Sequence, residues 1–295
     1  MMSEIYNTST TPTSSRVWFI TGSSSGFGRA LAAAVLAHGD RLVATARNLD
    51  QLQDLTAPSA NQLLKLPLDV TSEEQCRAAV EQTLHHFGQI DVLVNNAGYG
   101  LFGAIEESSA SEVRQQFETN VFGLLNITRS VLPVMREQHR GHILMMSSIG
   151  GFVGFMGTGM YNATKHAVEG LSDALAQEIA PLGLHLTIIE PGGFRTDFAG
   201  RSLKEAERKI EDYAPTSGMV LNYTRQYIHG HEPGDPKLAA AAIIKVVEAP
   251  EPPLRLALGA DALDMMRKKL AEVSQEWEKW EATSVATAFP PETAS

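Results

Sequence analysis

From Arg16 onward, short β-branched apolar runs alternate with longer stretches of helical period. Strands are predicted over 17–21, 41–46, 63–68, 91–94, 142–147, 185–190 and 254–258. Helices are predicted over 28–38, 73–87, 112–136 and 161–180. Strands separated by helical crossovers must pair in parallel, and right-handed crossovers wind helices onto both faces of one sheet. The expected fold class is therefore α/β, a single doubly wound parallel sheet spanning residues 16–260, with neither a linker nor an internal repeat. Between 199 and 237 the period degrades, and an irregular insert of that length in a compact domain reads as a substrate-covering loop.

Two ends stand outside this pattern. Residues 1–15 are rich in Ser and Thr, lack an apolar run, and read as a mobile tail rather than a signal peptide or anchor. Beyond residue 260, Leu263, Met266, Leu270, Val273, Trp277 and Trp280 recur at spacings of 3, 4, 3, 4 and 3. That is one apolar stripe on a helix over 261–282, followed by a disordered tail to 295. Packing on its own domain, a subunit contact and a flap over the pocket all remain open readings of the stripe.

Composition narrows the partners. The chain has 295 residues, 43% of them hydrophobic, enough for one sizeable core. Its formal net charge of −10 repels nucleic-acid phosphates and anionic membranes, so neither is expected as a partner. No apolar run approaches the ~20 residues of a membrane span. The single cysteine, Cys76, forbids an intrachain disulfide and suits a cytoplasmic location. No metal-ligating cluster stands out.

The chemistry begins at the first strand–helix junction, Thr21-Gly22-Ser23-Ser24-Ser25-Gly26-Phe27-Gly28. Gly22 permits a tight turn, Gly26 lets backbone approach a pyrophosphate, and Gly28 lets helix and strand pack closely. Free N–H groups at the helix start, around Ser24, Ser25 and Phe27, then hold negative charge. A plain glycine turn is the alternative, and the strand–turn–helix setting weighs against it. At the end of the second strand an NAD site usually presents a carboxylate to the ribose 2′-hydroxyl, but Thr45 and Ala46 are not acidic and Arg47 follows. A guanidinium there clamps a 2′-phosphate, which points to NADP(H), with Arg29 as a possible helper. A solvated surface arginine is the alternative.

Tyr161 and Lys165 are four apart at the start of a helix and share one face. A nearby ammonium is expected to lower the tyrosine's pKa and fit it for acid/base work. Ser147 and Ser148 end a strand, and alternation lets only one face the same cleft.

Taken together, the Gly-x-x-x-Gly-x-Gly turn and Tyr-x-x-x-Lys resemble the short-chain dehydrogenases/reductases, whose fold is of Rossmann type. Ser148 stands thirteen residues before Tyr161, as in that family. Asn95-Asn96-Ala97-Gly98 is similar to its Asn-Asn-Ala-Gly motif, and Pro191-Gly192-Gly193-Phe194-Arg195-Thr196 to its Pro-Gly-x-x-x-Thr. The resemblance implies catalytic roles for Asn120, Ser148, Tyr161 and Lys165. Asn120 would hold a relay water, Ser148 would orient the reacting oxygen, and Lys165 would hold the nicotinamide ribose. It implies cofactor contacts at Asp69 and Val70 along the adenine, Asn96, Ala97 and Gly98 at the site wall, and Pro191, Gly192 and Thr196 at the nicotinamide amide. Asp69 has an N-cap of the next helix as its alternative role. The segments 17–22 and 26–29 are similar to the branch holding 17β-hydroxysteroid and retinol dehydrogenases.

The implied reaction is hydride transfer between a nicotinamide and a carbonyl or secondary alcohol, with Tyr161 as general acid/base. Phe102, Phe152, Phe155, Met156, Met160, Phe194, Phe198, Tyr213, Met219 and Tyr223 are candidate pocket residues and favour a hydrophobic ketone. A catalytically silent NADP(H)-binding redox sensor is the rival, disfavoured because the catalytic residues are all present. The family's habit implies a homodimer or homotetramer, associating through the helices predicted at 112–136 and 161–180.

Overall fold

Alternation along the first strand sets up the two layers. In β1 (Val17–Ile20), Val17 and Phe19 enter one apolar cluster and Trp18 and Ile20 the other, and all four are fully buried. A strand covered on both faces is what a central parallel position demands. The computed structural model describes residues 15–289 other than Ala199, so all but the last residue of the tail read at 1–15, and residues 290–295, lie outside the described residues.

The chain continues through α1 (Gly26–His38), β2 (Arg41–Ala46), β3 (Leu63–Pro67), α2 (Glu73–Phe87) and β4 (Val92–Asn95). Then come β5 (Gly100–Phe102), α3 (Ala110–Phe117), α4 (Leu124–Gln138), β6 (Gly141–Met146), α5 (Gly159–Ile179) and β7 (Leu184–Pro191). The last elements are β8 (Leu203–Glu205), α6 (Met219–Tyr223), α7 (Pro236–Glu248), β9 (Arg255–Leu258) and α8 (Ala260–Val285). The main sheet is seven parallel strands in the order β3-β2-β1-β4-β6-β7-β9. This is the Rossmann-type α/β arrangement. Helices α2, α4 and α5 cover one face, α1 and α7 the other. The order reverses between β1 and β4, which opens a crevice at their carboxyl ends.

Several sequence expectations need correction. The helix read over 112–136 is α3 and α4 joined by a π-helical turn, Glu118–Gly123. The extra residue per turn turns Asn120 inward, and Gly123 presses on Val70, where an added Cβ would lie 2.6 Å from Val70 Cγ2. The insert at 199–237 is less irregular than expected. Its β8 pairs in parallel with β5, and helical turns run through Glu211–Tyr213, Ala214–Gly218, α6 and Thr224–Ile228. Helix α7 was not predicted, although Asp235 caps it through the Lys237 N–H at 2.8 Å and Pro236 opens it. Helix α8 runs past Ala282 to Val285. Of its stripe only Met266 is buried, because the helix packs through the side bearing Ala262 and Met266 and leaves the body beyond Val273.

Candidate active site

The crevice at the sheet reversal is a cleft of about 1080 Å³. Its walls include Gly22, Ser24, Ser25, Gly26, Phe27, Arg47, Asp69, Val70, Asn96, Ala97, Gly98, Pro191, Gly192 and Thr196, together with Ser148, Tyr161 and Lys165. Of the residues given catalytic or cofactor roles from sequence, only Gly28 and Asn120 do not face it; each stands one layer behind.

The glycine turn is shaped for close approach. Gly22 and Gly26 take φ of 68° and 56°, a region that suits glycine. A Cβ on Gly28 would meet the Gly22 carbonyl oxygen at 2.3 Å. Asn96 locks the turn, its Nδ2 donating to the carbonyls of Thr21 at 2.9 Å and Gly22 at 3.0 Å. The start of α1 carries no acidic residue in its first turn and no side-chain cap from Ser25, so its N–H groups stay open to an anion. Among the described residues, Arg47 has no carboxylate within ion-pair distance, while Arg29 is held by Asp54 at 2.6 Å and turned from the cleft. Asp69 does not cap α2, a role taken by Ser72. Its Oδ1 accepts from the Thr71 N–H and hydroxyl at 3.0 and 2.8 Å. The donor set and the glycine cradle fit a dinucleotide.

At the other end of the cleft, α5 presents Tyr161 and Lys165 from one face. Lys165 is 7% exposed, and its Nζ donates to the Met146 carbonyl at 2.6 Å. Burial pushes this ammonium down to about 8, with Glu169 opposing. Burial pushes Tyr161 up to about 12, with the Ser148 hydroxyl opposing. The expected depression of Tyr161 by the lysine is absent from the chain alone, because the ammonium is turned to the strand carbonyl and desolvation dominates. Ser148 also accepts from the Gly150 N–H at 3.0 Å, which fixes the 149–151 turn. Ser147 borders the cleft, but its hydroxyl is buried beside the Glu169 carboxyl.

Asn120 works from behind. Its Oδ1 accepts from the Tyr99 N–H at 3.0 Å, and its Nδ2 donates to the Tyr99 carbonyl at 2.9 Å and to Thr164 at 3.1 Å. It therefore ties the Gly98 turn to α5. Asn162, which the sequence did not single out, does similar work on the other side, donating to the carbonyls of Gly150 and Val153 at 2.9 Å each. Its place between Tyr161 and Lys165 was the available signal. A half-buried Arg255 bonds Glu190 at 2.9 Å, Asp173 at 2.8 Å and Glu169, and burial together with Glu169 raises Glu190 to about 7. No short motif announces that network.

The wall beyond Tyr161 is apolar. Phe198 tilts against the Tyr161 ring at 5.2 Å between centroids, and Phe102, Phe155, Phe194, Ile149 and Ile228 complete it. The other predicted pocket residues do not face the cleft. Phe152 packs beneath α8, Tyr213 bonds Glu106 at 2.9 Å, and Met156, Met219 and Tyr223 lie more than half exposed. Among the described residues no helix is long and apolar enough to cross a membrane, and no cluster of metal-ligating side chains occurs.

Known proteins share both sequence and fold with this chain. The short chain dehydrogenase family profile matches residues 16–207. Oxidoreductase BOA17 of Botryotinia fuckeliana is 40% identical over 274 residues, covering 92% of this chain and 99% of the relative. Human retinol dehydrogenase 8 is 34% identical over 261 residues, covering 81% of this chain and 80% of the relative. The crystal structure of a short-chain dehydrogenase from Streptomyces avermitilis superposes with a TM-score of 0.86 at 42% identity, covering 93% of this chain and all of that one.

Proposed function

The chain belongs to the short-chain dehydrogenase/reductase family, and on that premise we propose that it is an NADP(H)-dependent oxidoreductase acting on a hydrophobic ketone or the matching secondary alcohol. The observation that carries this reading is the meeting of Tyr161, Ser148 and Lys165 at the apolar end of a cleft whose other end is the glycine cradle with Arg47. When bound, the nicotinamide supplies or accepts the hydride at the carbonyl carbon. The remaining work falls to side chains. Tyr161 gives its proton to the carbonyl oxygen during reduction and takes it back during oxidation. Ser148 donates to the same oxygen and stabilises the charge developing there. Lys165, held by the Met146 carbonyl, brings positive charge beside the phenol and holds the nicotinamide ribose.

NADP(H) rather than NAD(H) is supported by the absence of a carboxylate at Thr45 and Ala46 and by Arg47, which lines the cleft and forms no ion pair among the described residues. Asp69 and Val70 would lie along the adenine. Pro191, Gly192 and Thr196 would meet the nicotinamide amide. The ring-lined wall around Phe102, Phe155 and Phe198 supports a lipophilic substrate, as does likeness to a retinol dehydrogenase. A cytoplasmic homodimer or homotetramer fits the buried single thiol and the family's habit of association.

The test is oxidation of NADPH and of NADH with a panel of lipophilic ketones, for wild type and Tyr161→Phe. Turnover that prefers NADPH and vanishes in the variant is expected. Better turnover with NADH removes the role given to Arg47, and NADPH binding without turnover of any ketone favours a silent sensor.

A further inference from the structure

Helix α8 is 26 residues long, about 39 Å at 1.5 Å per residue. Only its first turns rest on the body, where Ala262 and Met266 pack with Ile149, Phe152 and Val153. Val273 is the last residue with partial cover, and every residue from Ser274 to Val285 is exposed. The apolar stripe nevertheless runs on, with Leu270 58%, Trp277 72% and Trp280 58% exposed. A helical overhang this short is marginal alone in water, and two tryptophans on one side of it want cover.

We propose that this overhang is a contact surface for a second copy of the chain, with α8 lying antiparallel to α8 of that copy. Charge selects both the occupant and the direction. With Leu270, Val273, Trp277 and Trp280 on the seam, Arg267 and Glu281 flank one edge and Lys269 and Glu276 the other. Parallel pairing apposes opposite edges and sets Glu276 against Glu281 of the second copy, twice. Antiparallel pairing apposes like edges. With Leu270 over Trp280 and Val273 over Trp277, Arg267 meets Glu281 of the second copy, and two-fold symmetry repeats the contact. The one like-charged contact left is Glu276 against its own copy at the axis. An anionic membrane is the poorer occupant, because Glu272, Glu276, Glu278 and Glu281 surround the tryptophans with Lys279 as the one cation among them.

The inference does not depend on the proposed reaction. It is tested by light scattering and tryptophan emission across a range of protein concentrations. Trp18 is fully buried, so a concentration-dependent blue shift reports Trp277 and Trp280. Wild type should show twice the mass of Trp277→Glu/Trp280→Glu, together with that shift. Arg267→Glu should halve the mass, Arg267→Glu/Glu281→Arg should restore it, and Glu276→Gln should tighten association. Circular dichroism and retained NADPH binding show that each variant is folded. Equal masses for wild type and the double tryptophan variant overturn the proposal. So does an Arg267→Glu effect that Glu281→Arg fails to rescue. A monomer whose emission shifts only on phosphatidylserine vesicles overturns it in favour of a lipid surface.

Discussion

Replacing Lys165 by methionine is expected to stabilise the cofactor-free protein while abolishing turnover. The buried ammonium titrates at about 8 in the folded chain, against 10.5 for an ordinary lysine, because burial strips its water and Glu169 restores only part of the loss. That difference corresponds to roughly 3 kcal/mol. Between the two values the unfolded chain binds more protons than the folded one, so folding stability rises with pH across the interval. Below about 8 the cost of burying the charge is present in full, and above 10.5 it is gone. Methionine has a similar shape and no charge, so the variant lacks this dependence. It also loses the 2.6 Å bond to the Met146 carbonyl, and an acceptor left unsatisfied costs about 1–3 kcal/mol. At neutral pH the two effects leave a net gain on the order of 1 kcal/mol. The sharper signature is in the difference between the proteins. In urea unfolding, wild type should gain about 3 kcal/mol on Lys165→Met as pH rises from about 8 to 10.5. A difference that stays flat over that window would refute the assignment of the cost to the buried charge. A wild type that loses ground would reverse its sign.

Three other outcomes follow from the same geometry. Gly28→Ala drives a Cβ to 2.3 Å from the Gly22 carbonyl oxygen and 2.5 Å from Asn96 Nδ2, so it should cost about 1–3 kcal/mol in a thermal melt and weaken NADPH binding measured by fluorescence titration. Arg47→Ala should weaken NADPH by about 10- to 100-fold, the worth of a charge-assisted hydrogen bond, and leave NADH within about twofold. Ser148→Ala should lower kcat on the order of 10²-fold, whereas Ser147→Ala, which removes a hydroxyl buried beside Glu169, should leave kcat unchanged.

The main sheet was legible in the sequence because its strands are buried on both faces and read as unbroken apolar runs, Val17–Ile20 being the plainest. β5 and β8 were not legible. Each has three residues, too few for a period, and their pairing joins segments about a hundred residues apart. The π turn was hidden for a different reason. Glu118–Gly123 sits in a good helical sequence, and what widens the helix is tertiary, the grip of Asn120 on Tyr99 and the press of Gly123 on Val70. In the site, the glycine turn and the Tyr161–Lys165 pair were readable because their chemistry is local to one turn of chain. Phe198 against Tyr161 and Arg255 among three carboxylates depend on the return of distant segments, and no spacing encodes that.

Several costly features meet at the carboxyl ends of the strands. Lys165 is buried and charged, Gly22 and Gly26 take left-handed backbone, and the helical run from α3 to α4 is widened by a π turn at Asn120. Two apolar layers, built on Trp18, Ile20, Phe19 and their neighbours, hold these features in place. Burial pushes Tyr161 up to about 12 and Lys165 down to about 8. Both shifts come chiefly from desolvation, so an anion bound beside Lys165 would raise it and a cation set beside the phenol would lower Tyr161.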